Sequence, residues 1–357
     1  MDAVVLVGGE GTRLRPLTYE IPKQMLTVVE RPMIVHVLEW LSQHGVDRAV
    51  LSLGYRADAF IQAFPTSKIA GVALEYVVEP DPLDTAGAIR FAAEKSGVSD
   101  TFLVLNGDVL TDLDATALLA FHRSRPAEAS IALTPVADPS RFGVVPTDGD
   151  GRVTAFIEKP APGTAPTNLI NAGIYVLETS VLERIPAGRR VSIERETFPE
   201  LVEAGILYAL ASDAYWLDTG TPQQFLRAQL DILCGRRLCV PVAPEIRSGV
   251  WADPSAHVAG RLGPHCLVGK EAAIAEGAVV SDSVMGAGSR VGTGAVVSRS
   301  VLMAGAEVRS DAVVHDSILG PRSVVGEGAR VSGMTIIGVG AEVPAGSVLE
   351  GARYPVS

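Results

Sequence analysis

Val4-Val5-Leu6-Val7-Gly8-Gly9-Glu10-Gly11-Thr12-Arg13-Leu14-Arg15-Pro16-Leu17-Thr18, with Pro22-Lys23 close behind, is the stretch from which the fold of this chain is read. A short apolar run rich in valine predicts a buried strand, and it breaks into a glycine-rich turn carrying two arginines. Glycines at 8, 9 and 11 let backbone N–H groups approach an anion where side chains would stand in the way. Arg13, Arg15 and Lys23 add positive charge at the same strand end, which suits a chain of phosphates. The loop lacks the Gly-Lys-Ser/Thr ending of a P-loop, and its spacing is not the Gly-x-Gly-x-x-Gly of dinucleotide binders.

Outward from this turn, strands and helices alternate. Residues 3–7 form the first strand, and Pro32 opens a helix with Ile34, Val37, Leu38 and Leu41 at helical spacing, ending at Gly45. Arg48–Leu53 and Leu74–Val78 read as strands, Ala86–Lys95 as a helix, and Thr101–Leu105 as an apolar strand ending in Asn106-Gly107-Asp108. The alternation predicts an α/β fold with a Rossmann-like, mostly parallel sheet, its site at the carboxyl ends of the strands. Alternation over Arg152–Ile157 predicts a further strand, and Gln223–Leu233 a helix.

With 357 residues, 47 % hydrophobic and 20 % charged, the chain has room for two domains with sizeable cores. Its apolar runs are far shorter than a membrane span, and no targeting segment is read at the start. A net charge of −11 argues against nucleic-acid or anionic-membrane surfaces, so neither partner is expected. Cys234, Cys239 and Cys266 have no metal spacing and are expected to be reduced thiols of a cytoplasmic protein.

The ordered string Gly-Gly-x-Gly-Thr-Arg-Leu-x-Pro-Leu-Thr plus Pro-Lys resembles the signature of the sugar-nucleotide pyrophosphorylases, nucleotidyltransferases that join a nucleoside triphosphate to a sugar 1-phosphate. Further segments follow in that family's order: Glu79 to Gly87, Asn106-Gly107-Asp108, Phe142-Gly143-Val144-Val145, Phe156 to Pro160, Asn171 to Tyr175, and Trp216 to Pro222. Together with Ser192 to Pro199 they are most similar to the mannose-1-phosphate guanylyltransferase group. The resemblance implies a nucleotide site of Leu6, Gly8, Gly9, Gly11, Thr12, Arg13, Lys23, Glu79, Pro82, Thr85 and Gly107. It implies Mg²⁺ on Asp108 and Asp218, and a sugar-phosphate site of Gly143, Glu158, Lys159 and Asn171. Arg13, Lys23, Asp108 and Lys159 are the expected catalytic residues. Glu79 is acceptor-only and matches the two adjacent donors of guanine, pointing to GTP; position 84 carries Asp where the family pattern has Gly. The plain reading of Glu194 and Arg195 is an exposed helix ion pair, and it is the preferred reading for Arg195. Thymidylyl or other nucleotidyl transfer to glucose 1-phosphate or a rarer sugar or cyclitol phosphate, a non-catalytic regulatory paralogue and a glycosyltransferase are the alternatives. For the last, Asp112-x-Asp114 begins a helix and so does not make a metal motif.

Beyond Leu233 the pattern becomes periodic. Every seventeenth residue gives Val268, Met285, Leu302, Leu319 and Ile336; Ile274, Val291, Val308 and Val325; and Val280, Val297, Val314 and Val331. Steps of six, six and five define a three-sided coil, hence a solenoid with Gly and Ala in its turns. This resembles the left-handed parallel β-helix of hexapeptide repeats, some of which are acyltransferases using a histidine. His257, His265 and His315 have no catalytic companion motif, so assembly into a homo-oligomer is the expected role. The expected domains are 1–232 for nucleotidyl transfer and 233–357 for the β-helix.

Overall fold

The computed structural model describes residues 1–54 and 56–355. By contacts the chain divides into two compact units, Met1–Gly9 with Ile34–Trp216, and Glu10–Met33 with Leu217–Ser357. The glycine-rich stretch is therefore shared between them, and residues 10–33 belong with the coils.

In the first unit, β1 (Asp2–Leu6), β2 (Arg48–Leu53), β3 (Val72–Val78) and β4 (Phe102–Asn106) are parallel and lie in the order β3-β2-β1-β4. The Val/Leu runs of β1, β2 and β4 are buried on both faces, as a sheet covered by helices requires, while β3 has one face partly exposed. Antiparallel β8 (Leu169–Leu177) extends the sheet beyond β4, and pairs in turn with β5 (Ala129–Pro135) and β6 (Gly143–Val144). β7 (Ile157–Glu158) pairs with β6, and β9 (Leu207–Ala211) runs parallel to β5, so the whole sheet is mixed. Strand order reverses between β1 and β4, which opens a crevice at their carboxyl ends.

Helices α1 (Met33–Gln43), α2 (Asp84–Lys95), α3 (Ala115–Arg123) and α4 (Pro222–Leu233) fall within a few residues of where periodicity puts them. Asp114 caps α3 by accepting from Ala117 N–H, in keeping with its reading as a helix start. The strand expected over Arg152–Ile157 does not form. Only isolated bridges at Arg152 and Val153 and the two-residue β7 are present, because the alternating residues serve a tight turn in which Asp148 accepts from Arg152 N–H.

In the second unit the coils stack into three parallel faces of eight, six and six strands, the arrangement of a left-handed parallel β-helix. The first face begins with β10 (Glu245–Arg247), antiparallel to β11 (Val250–Ala252), and every later strand on it is parallel. The three columns fill the interior at near-zero exposure, each valine contributing about 1.5–3 kcal/mol of burial. The first coils step by 16 or 18 residues, and from Val268 onward the 17-residue step fails once. Leu319 pairs with Ile337, Val325 with Val343 and Val331 with Leu349, so one extra residue enters at Ser332–Thr335 and the first column continues to Ile337 rather than Ile336. Ile336 points outward and is buried there, as are Leu267, Val284, Val301 and Ile318 on the same face. That side of the coil is covered: Leu17 lies against Gly320 and Pro16 against Gly338.

Four successive coils turn one corner without glycine. His265, Asp282, Arg299 and Asp316 hold φ of +46° to +47°, a left-handed conformation that costs a non-glycine residue about 1–2 kcal/mol. Beside three of them runs a ladder of wholly buried hydroxyls. Ser283 and Ser300 each donate to a carbonyl two residues back, and each accepts the N–H of Ser300 and Ser317 one coil on. After the inserted residue, Thr335 takes the same part, accepting from Ala352 N–H.

Candidate active site

In the first unit the candidates cluster at the carboxyl ends of β1, β2 and β4. Leu6 is level with Ser52 on one side and Asn106 on the other. Gly107 N–H donates to Leu6 carbonyl at 2.9 Å, and a Cβ at Gly107 would lie 2.5 Å from Val7 Cγ1 and 3.0 Å from that carbonyl. Glycine therefore lets the turn lie flat on β1, and the next residue, half-buried Asp108, is held at the strand end.

Glu79 follows β3 with both carboxylate oxygens anchored. Ser52 Oγ donates to Oε1 at 3.0 Å and Leu83 N–H to Oε2 at 3.1 Å, and a Cβ at Gly8 would lie 3.6 Å from Oε1. Each oxygen keeps acceptor capacity for a ligand donor, in a fixed orientation. Asp84, at the family's glycine position, has φ +59°, and its carboxylate accepts from Thr85 N–H at 2.8 Å. Asp is among the few side chains that visit this region readily, so the departure from glycine keeps the backbone turn. Pro82 is exposed on the same loop, as is Gly9 just past β1.

Thr85 has its hydroxyl committed elsewhere. It donates to Glu194 and accepts from Ile193 N–H, both at 2.8 Å, pinning the 192–198 segment to α2. Ser192 Oγ also donates to Glu194, which is half-buried. The ion pair with Glu194 preferred for Arg195 is not formed. The segment is a π-helical turn, Ile193–Thr197, that turns Glu194 inward and leaves Arg195 exposed, and among the described residues Arg195 has no ion-pair partner. Its neighbour Glu196 pairs with Arg189 at 3.1 Å instead.

The sugar-phosphate candidates lie on β6, β7 and β8. Gly143 is opposite Glu158, and a Cβ there would meet the Phe156 ring at 2.6 Å and Glu158 Oε2 at 3.1 Å. Lys159 leaves β7 with φ +49°, and its ammonium pairs with Glu158 at 3.0 Å while staying more than half exposed. Asn171 sits where the β8–β5 register shifts. Its Oδ1 accepts from Gly173 N–H at 2.8 Å and its Nδ2 donates to Tyr175 Oη at 2.9 Å. Gly173 has φ +71°, and a Cβ there would strike Asn106 Nδ2 at 2.6 Å, so the bulge and the Asn106–Asp108 turn are packed together. Tyr175 is wholly buried; burial, with Glu194 and Glu158 nearby, holds its hydroxyl above the usual tyrosine range and so neutral. Tyr175, Ser52 and Ser192 were missed from the sequence. Their polar atoms act on candidate residues rather than on a ligand, and only the short Asn171–Tyr175 spacing hints at it.

In the second unit, Gly11 has φ +62° and starts a single turn, Thr12–Leu14, with Thr12 and Arg13 exposed. A Cβ on Gly11 would lie 3.0 Å from Lys23 Cβ and 3.1 Å from Thr18 Cγ2, so Lys23, itself 8 % exposed, packs directly on the loop. Arg15 pairs with Glu10 at 2.9 Å and lies over the Tyr19 ring. Asp218 Oδ1 accepts from Gly220 N–H at 2.7 Å, and a side chain at Gly220 would collide with both Asp218 and the Arg13 guanidinium. The structure thus brings the Arg13 guanidinium and the Asp218 carboxylate together over Gly220. The three cysteines are free, and burial pushes the Cys266 thiol up to about 11. Among the described residues no helix is long and apolar enough to cross a membrane.

Comparison with known proteins identifies the family. Residues 2–234 match the family model "Nucleotidyl transferase", and residues 252–354 match "GMPPB C-terminal domain". A mannose-1-phosphate guanylyltransferase of Mycobacterium tuberculosis is 41 % identical over 297 residues, 80 % of either chain. Mannose-1-phosphate guanylyltransferase 1 of Arabidopsis thaliana is 38 % identical over 348 residues, 95 % of this chain and 91 % of its own. HddC from Yersinia pseudotuberculosis, solved as a complex with GMP-PN, superposes with a TM-score of 0.55 at 32 % identity, covering 64 % of this chain and 97 % of that one. With its phosphate-suited loop, its strand-end aspartates and these matches over both parts, the chain belongs to the nucleotidyl transferase family, with a GMPPB-type C-terminal domain.

Proposed function

We propose that this enzyme transfers the guanylyl group of GTP to mannose 1-phosphate and releases pyrophosphate. The single observation that carries the base is Glu79: an acceptor-only carboxylate, held by Ser52 and Leu83 N–H beside Gly8. Relatives named as mannose-1-phosphate guanylyltransferases supply the sugar. A phosphate oxygen of the sugar 1-phosphate attacks the α-phosphorus in line, the new P–O bond replaces the bond to the β-phosphate bridge, and pyrophosphate leaves with that electron pair. The nucleophile is already an anion at pH 7, so positioning and charge stabilisation carry the rate.

In this reading Gly8, Gly9, Gly11 and Thr12 line the triphosphate. Arg13 neutralises charge developing at the α-phosphate, and Lys23 holds the β- and γ-phosphates. Thr85 acts through its hold on the 192–198 segment, with Pro82 against the base. Lys159 takes the attacking phosphate, exchanging its pairing with Glu158, and Glu158 and Asn171 bind sugar hydroxyls over Gly143. Among the described residues no cluster of three or more His, Cys, Asp or Glu could hold a metal. Two aspartates with phosphate oxygens and water do match Mg²⁺, a hard cation that keeps several waters. Asp108 and Asp218 would hold it, and when bound it would offset negative charge on the phosphates.

Residues 1–232 would carry this chemistry, and the coils of 233–357 would join copies of the chain into a homo-oligomer. Triphosphate and sugar-phosphate substrates and three free thiols support a cytoplasmic setting. Pyrophosphate release with Mg²⁺, measured for GTP, dTTP, ATP and UTP against mannose and glucose 1-phosphates, tests the reading. A dominant GTP and mannose 1-phosphate rate is expected. GTP with another phosphate overturns the sugar, and no turnover with any pair favours a regulatory subunit.

A further inference from the structure

Resting on the reading of the coils as an assembly module, we propose that two copies of this chain join through β10, paired antiparallel with itself about Ile246. β10 is an edge strand: within its sheet it pairs only with β11 among the described residues. A free edge is a template for another strand, and an antiparallel strand paired with its own copy closes across a two-fold axis.

The side chains of Glu245-Ile246-Arg247 are complementary to themselves in that register. Centred on Ile246, Glu245 of one copy lies opposite Arg247 of the second, and Arg247 opposite Glu245. Two opposite-charge pairs thus flank a central isoleucine contact. All three residues are exposed, Ile246 by 57 %. Their present contacts leave the needed capacity. Glu245 uses Oε1 to accept from Gly249 N–H, leaving Oε2. Arg247 donates to the Leu262 and Gly263 carbonyls through Nη2, leaving Nε and Nη1.

The chain leading into β10 points the same way. Leu238, Val240 and Val242 are 88, 74 and 67 % exposed, and with Ile246 they place four of the ten exposed large apolar side chains of the described residues within nine positions. Such a concentration is uncommon on a surface that meets only water, and it supplies apolar area that a three-residue strand pair lacks.

The test is sedimentation of the full-length protein over a concentration series, with thermal unfolding as the control for folding. Glu245→Arg or Arg247→Glu alone turns both cross-strand pairs into like-charge pairs at once and should weaken association at least about tenfold. The double variant E245R/R247E restores opposite pairs and should return it. Should Arg247→Glu disturb the neighbouring coil, Ile246→Lys sets two ammonium groups face to face without touching either local hydrogen bond. A double variant no better than the single ones overturns the register. An oligomer indifferent to every variant overturns the surface while leaving assembly intact, and a wild-type monomer at all concentrations overturns both.

Discussion

The strand-end loops and the coils use glycine, acidic residues and short apolar runs to opposite ends. In the loops each residue occurs once and plays one part. Gly107 lets a turn lie on β1, Glu79 is aimed by two donors, and Gly220 leaves room for Asp218 and Arg13 together. In the coils from Val268 to Val331 a residue has a counterpart seventeen positions away playing the same part, such as Ser283 and Ser300. Repetition spreads stability over equivalent positions, whereas the site depends on particular atoms. Substitutions in the two regions should therefore fail differently.

The largest effect is expected at Asp108→Asn. It should lower kcat at least about 100-fold, some 2.7 kcal/mol, with the thermal midpoint unchanged; near-normal pyrophosphate release would remove Asp108 from the chemistry. The coils should behave in the reverse way. Ser283→Ala and Ser300→Ala each leave a buried N–H of the next coil without its acceptor, at about 1–3 kcal/mol of stability with turnover unchanged. Denaturant unfolding should give the two nearly the same loss, and a large difference between them would break the equivalence of coils. Back in the loops, Gly143→Ala crowds Phe156 and Glu158, and should raise KM for the sugar phosphate about tenfold, near 1.4 kcal/mol, with KM for the nucleotide little changed.

The smallest effect belongs to a surface pair in neither region. Glu128 accepts from Arg184 Nε and Nη2, both at 3.0 Å, which together with Ser180 holds its carboxyl below the ordinary 4.5. A carboxyl lowered in the fold adds stability above its unfolded value and loses it as pH falls through the lowered one. Glu128→Gln should therefore cost less than about 1 kcal/mol at pH 7 and nothing in strong acid, as unfolding at the two pH values would reveal.

What could be read from the sequence follows the same division. The coil was legible because Val, Ile and Leu recur at a fixed step, and even its covered side was written in doubled apolar pairs such as Val284-Met285 and Ile318-Leu319. The inserted residue at Ser332–Thr335 hid behind a coincidence, since Ile336 and Ile337 are both isoleucine and the column seemed unbroken. The loops were legible only where a motif is distinctive in order and spacing, as with Gly-Thr-Arg or Trp-Leu-Asp. The ion pair of Arg195 was misread because a π-helical turn rotates the Glu194 side chain inward, and no local propensity announces that. Tyr175 and Ser52 were invisible because a residue that aims another one leaves its mark in three dimensions alone.

The extra residue makes the coils a counting device. From Val268 to Val331 any whole turn could be duplicated or removed with every ladder re-forming, so the length of this part changes in quanta of seventeen. Past Thr335 that exchange symmetry ends. The turn that follows is out of phase with the rest, so no earlier turn can stand in its place.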